Sequence, residues 1–147
     1  MTSPEHRLKR FLDRLDESSF NEHNKKKIRE FLRSRAAKGN SANTQIKYLY
    51  PLYQLHSFGW MSKPFEKMAK KEIEDIVIKI DEHKWASKTK KSFRVAIKVF
   101  YKWLEGEENF APNEYPDKVK FICTGIPKRE RKEMTFNDII TKEEVIK

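Results

Sequence analysis

Cysteine, glycine and long apolar runs are all scarce in this chain. A single cysteine, Cys123, rules out an internal disulfide and with it the cross-linked scaffolds of small secreted domains. The residue reads as a small apolar filler. With four glycines there is no glycine-rich loop to cradle a phosphate. No apolar run approaches the ~20 residues of a membrane span. The opening MTSPEHRLKRFL is charged where a secretion signal would be apolar. The expectation is a cytoplasmic protein with no membrane partner. His6, His23, His56 and His83 stand apart from Cys123 and make no HExxH pair, so neither a metal nor a cofactor is expected. The carboxylate pairs Glu72/Asp75 and Glu107/Glu108 read as helix-face and loop charges. No catalytic arrangement is legible.

What the chain has in excess is positive charge. Lys and Arg number 32 against 22 Asp and Glu, giving +10 over 147 residues and a pI near 9.6. Aromatics at 12% are too many for a disordered tail, so this is a folded, strongly basic domain. Such a charge is the footprint of a nucleic-acid binder, and it also fits an acidic protein partner.

Apolar spacing predicts helices almost throughout. Ser3 caps a first helix that begins with Pro4 and buries Leu8, Phe11, Leu12 and Leu15. A second helix runs to Ala37, with Ile28, Phe31 and Leu32 inward, and stops at Gly39 and Asn40. Ser41 caps a third, with Ile46, Leu49, Tyr50 and Tyr53 on its inner side, a distortion at Pro51 and an end at Gly59. A fourth spans about Lys70 to Glu82, with Ile73, Ile76, Val77 and Ile80 inward. After Gly106 the prolines Pro112, Pro116 and Pro127 read as a linker, with Val119 to Cys123 a candidate short strand and Lys128 to Lys132 a charge cluster. Thr141 starts a last helix that breaks off at Lys147.

The fifth helix carries the functional signal. SKTKKSFRVAIKVFYKWL, residues 87–104, contains no acid. Ser87 is its expected N-cap. Phe93, Ile97, Phe100 and Leu104 form one face, while Lys88, Lys91, Arg94, Lys98 and Lys102 form the other. Lys88, Lys90 and Lys91 near the helix start suit phosphates. Arg94 is the candidate base contact, since guanidinium can be bidentate to guanine. Asn43, Thr44, Gln45 and Lys47 at the start of the third helix suit phosphates or base edges. A solvated lysine face fits the same pattern. Lys25, Lys26 and Lys27, all read as exposed, are an equally basic run on the second helix.

Two of these helices carry a resemblance. SANTQIKYLYPL, residues 41–52, resembles the S-x-x-T-x-x-x-Y-x-x-x-L helix of the N-terminal core-binding domain of tyrosine recombinases, the lambda-integrase family, in its archaeal style. Residues 87–104 resemble that domain's last helix, with its basic middle and Phe-Tyr-x-x-Leu ending. NKKKIREFLRSRAAKG (24–39) and KPFEKMAKKEIEDIVIKI (63–80) are similar to the intervening elements. IPKRERK (126–132) followed by ITKEEVI (140–146) resembles the family's basic linker and the opening of its catalytic domain.

The resemblance, from about Asn24 onward, implies an all-α, SAM-like four-helix domain over residues 1–106 with an extra N-terminal helix, a linker over 107–140 and the start of a truncated catalytic domain at 141–147. It implies a DNA-binding module of a site-specific recombinase or integrase that clamps double-stranded DNA between Ser41–Trp60 and Ser87–Leu104, beside other recombinase protomers. The DNA-binding set is then Asn43, Thr44, Lys47, Ser87, Lys88, Lys90, Lys91, Arg94, Lys98, Lys128 and Arg129. The family cuts DNA with a tyrosine, arginines, a lysine and an H-x-x-R motif in its catalytic domain. Here the residues three after each histidine are Lys9, Lys26, Gly59 and Ala86, so this piece binds and does not cleave. The departures are the first helix and Pro51. The alternatives are a helical adaptor whose basic face meets an acidic protein and an RNA-binding domain.

Overall fold

A computed structural model describes residues 3–18, 21–61 and 63–124. Among them the protein is all-α, with helices α1 (Pro4–Glu17), α2 (Glu22–Ala37), α3 (Ala42–Ser57), α4 (Lys70–Glu82) and α5 (Ser87–Leu104). Short polar residues set the first three helix starts. Ser3 Oγ accepts from the His6 N–H at 3.2 Å, Asn21 Oδ1 from the His23 N–H at 2.8 Å and Ser41 Oγ from the Thr44 N–H at 3.3 Å. Each such cap contributes about 1 kcal/mol. At α4 the reciprocal bond is present instead, the Ala69 N–H donating to Glu72 Oε1 at 3.0 Å. The start of α5 differs from expectation. Ala86 occupies the cap position without a side-chain bond, and Ser87 is the first helical residue.

Gly39 ends α2 with φ +91°, a backbone state that costs glycine little. The Asn40 N–H then reaches the Arg35 carbonyl and the Gly39 N–H that of Ala36, both at 3.0 Å, closing the helix end as a Schellman motif. Pro51 sits inside α3 and is buried there. Having no N–H, it leaves the Lys47 carbonyl without its intrahelical donor, yet the helix continues through it.

Helix α3 is the central element, packed against α1, α2 and α5, while α4 lies along α5. The core joins Leu15 of α1, Ile28 and Phe31 of α2, Leu49, Leu52 and Leu55 of α3, Ile73 and Ile80 of α4, and Phe93, Ile97 and Phe100 of α5. The α3–α4 connection is held by buried polar groups. Asn24 donates from Nδ2 to the Lys63 carbonyl at 2.8 Å and accepts the Phe65 N–H at 2.9 Å, and the Tyr101 hydroxyl donates to the Phe65 carbonyl at 2.9 Å. Burial pushes the Tyr101 phenol far above its ordinary range.

Residues 107–124 do not behave as the expected linker. Val119 and Ile122 are sealed into the core, Lys118 Nζ donates to the Glu66 carbonyl at 3.1 Å, and Lys102 Nζ donates to the carbonyls of Ala111 and Pro112 at 2.9 and 3.1 Å. Arg35 and Lys38 at the end of α2 both pair with Glu107. Burial alone would raise the Glu107 pKa, but those two cations bring it below the usual carboxylate range. The folded body therefore extends through at least Ile122. The candidate strand over 119–123 is a turn followed by irregular chain. Cys123, expected as a buried filler, is exposed.

Candidate nucleic-acid interface

Helices α3 and α5 pack extensively against one another, and neither contains a carboxylate. Five carboxylates, Glu72, Glu74, Asp75, Asp81 and Glu82, lie on α4 along the other flank of α5. Those acids stand beside Lys70, Lys71 and Lys79 on α4, whereas α3 and α5 carry cations without any acid.

On α3, Asn43 and Lys47 are exposed and Thr44 is half-buried beside the Ser41 cap. Tyr50, expected inward, is 40% exposed. It lies one turn beyond Lys47 on the same face, accepts a hydrogen bond from Gln54 Nε2 at 2.7 Å and touches two neighbouring helices edge-on. Its ring centroid is 6.2 Å from that of Phe11 on α1 and 6.2 Å from that of Phe93 on α5.

The cationic stripe expected on α5 divides in two. Ser87, Lys88 and Lys91 are exposed at its start. Beyond them the cations serve the fold. Arg94 is only 5% exposed and is paired through Nη2 with Asp81 of α4. The exposed base-reading arginine expected from the sequence is thus a buried clamp between α4 and α5. The helical spacing was right, but α4 lies over that side of α5 and supplies a carboxylate there. Lys90 Nζ donates to the Asp81 carbonyl at 2.7 Å, so both Lys90 and Arg94 hold the α4 end. Lys98 Nζ sits 4.2 Å and Lys102 Nζ 4.7 Å from the Tyr115 ring centroid, an arrangement favourable to both cations. Burial lowers the Lys98 pKa below that of a free lysine. Lys128 and Arg129 lie outside the described residues.

The basic run on α2 is also not uniformly exposed. Lys25 is buried, and its three ammonium hydrogens go to the carbonyls of Asp16 and Ser18 at 3.0 and 2.6 Å and to Glu22 Oε1 at 3.0 Å. This places a cation at the negative end of α1. Lys26 is exposed, and Lys27 pairs with Glu30.

Two surface features were not singled out in the sequence. Arg7, Arg10 and Arg14 of α1, with Phe11, line an open cleft of about 240 Å³. Their i, i+3, i+7 spacing was the available signal, masked by the acids Glu5, Asp13, Asp16 and Glu17 interspersed with them. The second is an aromatic group from two separate turns. His83 stacks on Trp85 at 3.9 Å, with Phe58 at 5.0 Å from Trp60 and 5.9 Å from Trp85. No periodicity within one helix announces it.

Among the described residues no group of His, Cys, Asp and Glu could hold a metal ion, and no helix is long and apolar enough to cross a membrane. Comparisons with protein-family models, curated proteins and solved structures find no match to this chain.

Proposed function

We propose that this chain is a duplex-DNA-binding helical module, of the kind that the core-binding domain of tyrosine recombinases provides, and that it grips DNA without cutting it. The observation carrying this reading is the packing of two carboxylate-free helices, α3 and α5, side by side in a chain of net charge +10. A polyanion approaching them meets no repelling side chain from either helix. Lys47, Lys88 and Lys91 supply ammonium groups with no carboxylate partner among the described residues, and Asn43 and Thr44 supply short polar groups at a helix start. Arg94, Lys90 and Lys98 position this surface and do not themselves reach the nucleic acid. On this reading other protomers of the same recombinase are further partners.

The test is titration of a labelled duplex across a range of salt. Neutralising about 4–6 phosphates gives a log–log salt slope of about −4 to −5. A flat salt response, or no binding at low salt, rejects the reading in favour of an adaptor for an acidic protein. Tighter binding to single-stranded RNA than to duplex DNA rejects it in favour of an RNA reader.

A further inference from the structure

We propose that α1 is a third DNA-contacting helix, in which Arg7, Arg10 and Arg14 form a phosphate-binding stripe that continues the surface of α3. The inference rests on the DNA reading above and extends it to the one helix that the recombinase resemblance does not include.

The three arginines share one face of α1. At 1.5 Å per residue, Arg7 and Arg14 stand about 10 Å apart along the axis. All three are exposed, and among the described residues none is paired with a carboxylate despite four acids on the same helix. Asp16 pairs with Arg29 of α2, and Asp13 and Glu17, one turn from Arg10 and Arg14, form no ion pair with them among the described residues. The Arg14 guanidinium lies 5.7 Å from the Phe11 ring centroid, held against an aromatic surface at the cleft that the three arginines line.

The cleft is joined to the α3 surface. Phe11 forms part of it and meets the exposed Tyr50 edge-on, and Lys47 lies one turn from Tyr50. The stripe and Lys47 of α3 therefore adjoin through that aromatic contact. Guanidinium is suited to phosphate because its planar fork donates two parallel hydrogen bonds to one anion. An acidic protein surface is disfavoured, since stable protein interfaces centre on a desolvated apolar patch and the cleft's one aromatic is already packed between α1 and α3.

The experiment measures binding of a fluorescent duplex of arbitrary sequence by anisotropy, from 50 to 200 mM salt, for four proteins. These are the wild type, the triple variant R7Q/R10Q/R14Q, the charge-retaining R7K/R10K/R14K, and the control K26Q/R33Q/K71Q. The control removes the same charge from exposed sites on α2 and α4 that have no carboxylate partner among the described residues. Circular dichroism verifies the fold of each. The glutamine triple should lose about 10- to 100-fold in affinity at low salt, and its slope should shrink by about 2 to 3. The lysine triple should keep the slope and lose only about 3- to 10-fold, since the charge remains and the fork is gone. The control should stay within about 3-fold, because only long-range attraction is reduced. Wild-type binding with equal losses in the control and the glutamine triple overturns the α1 assignment and leaves the DNA reading intact. Absence of wild-type binding overturns both. Should the glutamine triple unfold, the lysine triple decides: unchanged affinity overturns the assignment.

Discussion

Replacing either partner of the Arg94–Asp81 pair separates a clamp from a DNA contact. The two ends differ in exposure: the Arg94 side chain is 7% exposed and the Asp81 side chain 50%. Breaking a fully buried pair costs about 3–5 kcal/mol, and an exposed pair contributes about 0–1 kcal/mol. Asp81→Ala leaves a buried guanidinium without its counter-charge, so its cost falls toward the buried figure, about 2–3 kcal/mol. Arg94→Met leaves a carboxylate that water already reaches and retains much of the packing of the arginine stem, so about 1–2 kcal/mol is expected. Urea denaturation followed by circular dichroism gives both values from the midpoints at unchanged slope. The ordering D81A worse than R94M is the signature of a buried clamp. DNA titration of both proteins under folding conditions completes the test, with both binding within a few-fold of wild type. An R94M protein as stable as wild type that loses most of its DNA affinity would refute the reasoning and restore Arg94 to the DNA surface.

Further outcomes follow from burial elsewhere. His56, packed edge-on to Phe65 at 5.1 Å, has its pKa lowered by burial to about 4 from 6.5. The unfolded chain therefore binds the proton more readily, stability is complete above about pH 6.5 and is lost as pH falls toward 4, by about 3 kcal/mol at 1.36 kcal/mol per pKa unit. Thermal melts between pH 7 and 4.5 should show this decline and His56→Phe should flatten it; parallel curves for the two proteins would count against it. Ile122→Ala should destabilise by about 2–5 kcal/mol, as for any sealed aliphatic side chain, whereas a residue in a free linker would be silent in the same urea titration.

The sequence by itself determined the elements. Polar caps at Ser3 and Ser41, glycines at positions 39, 59 and 106, and apolar spacing along each helix are local signals. They act through hydrogen bonds and backbone freedom within a few residues. That is why five helices and most of the core, from Leu15 to Phe100, were legible. The absence of acids on α3 and α5 was legible too, being a matter of composition.

What only the tertiary structure decided is which cations remain free. Periodicity places Arg94, Lys98 and Lys102 away from Phe93 and Ile97, but it cannot say what lies on that side. Asp81 arrives there from α4 and Tyr115 from beyond α5, through contacts that no spacing within α5 encodes. The same holds for Lys25, drawn to the carbonyl end of α1, and for Val119 and Ile122, whose segment has no helical period yet fills the core. Local physics fixes the direction of a side chain relative to its own helix, whereas its partner and exposure are set when the helices pack.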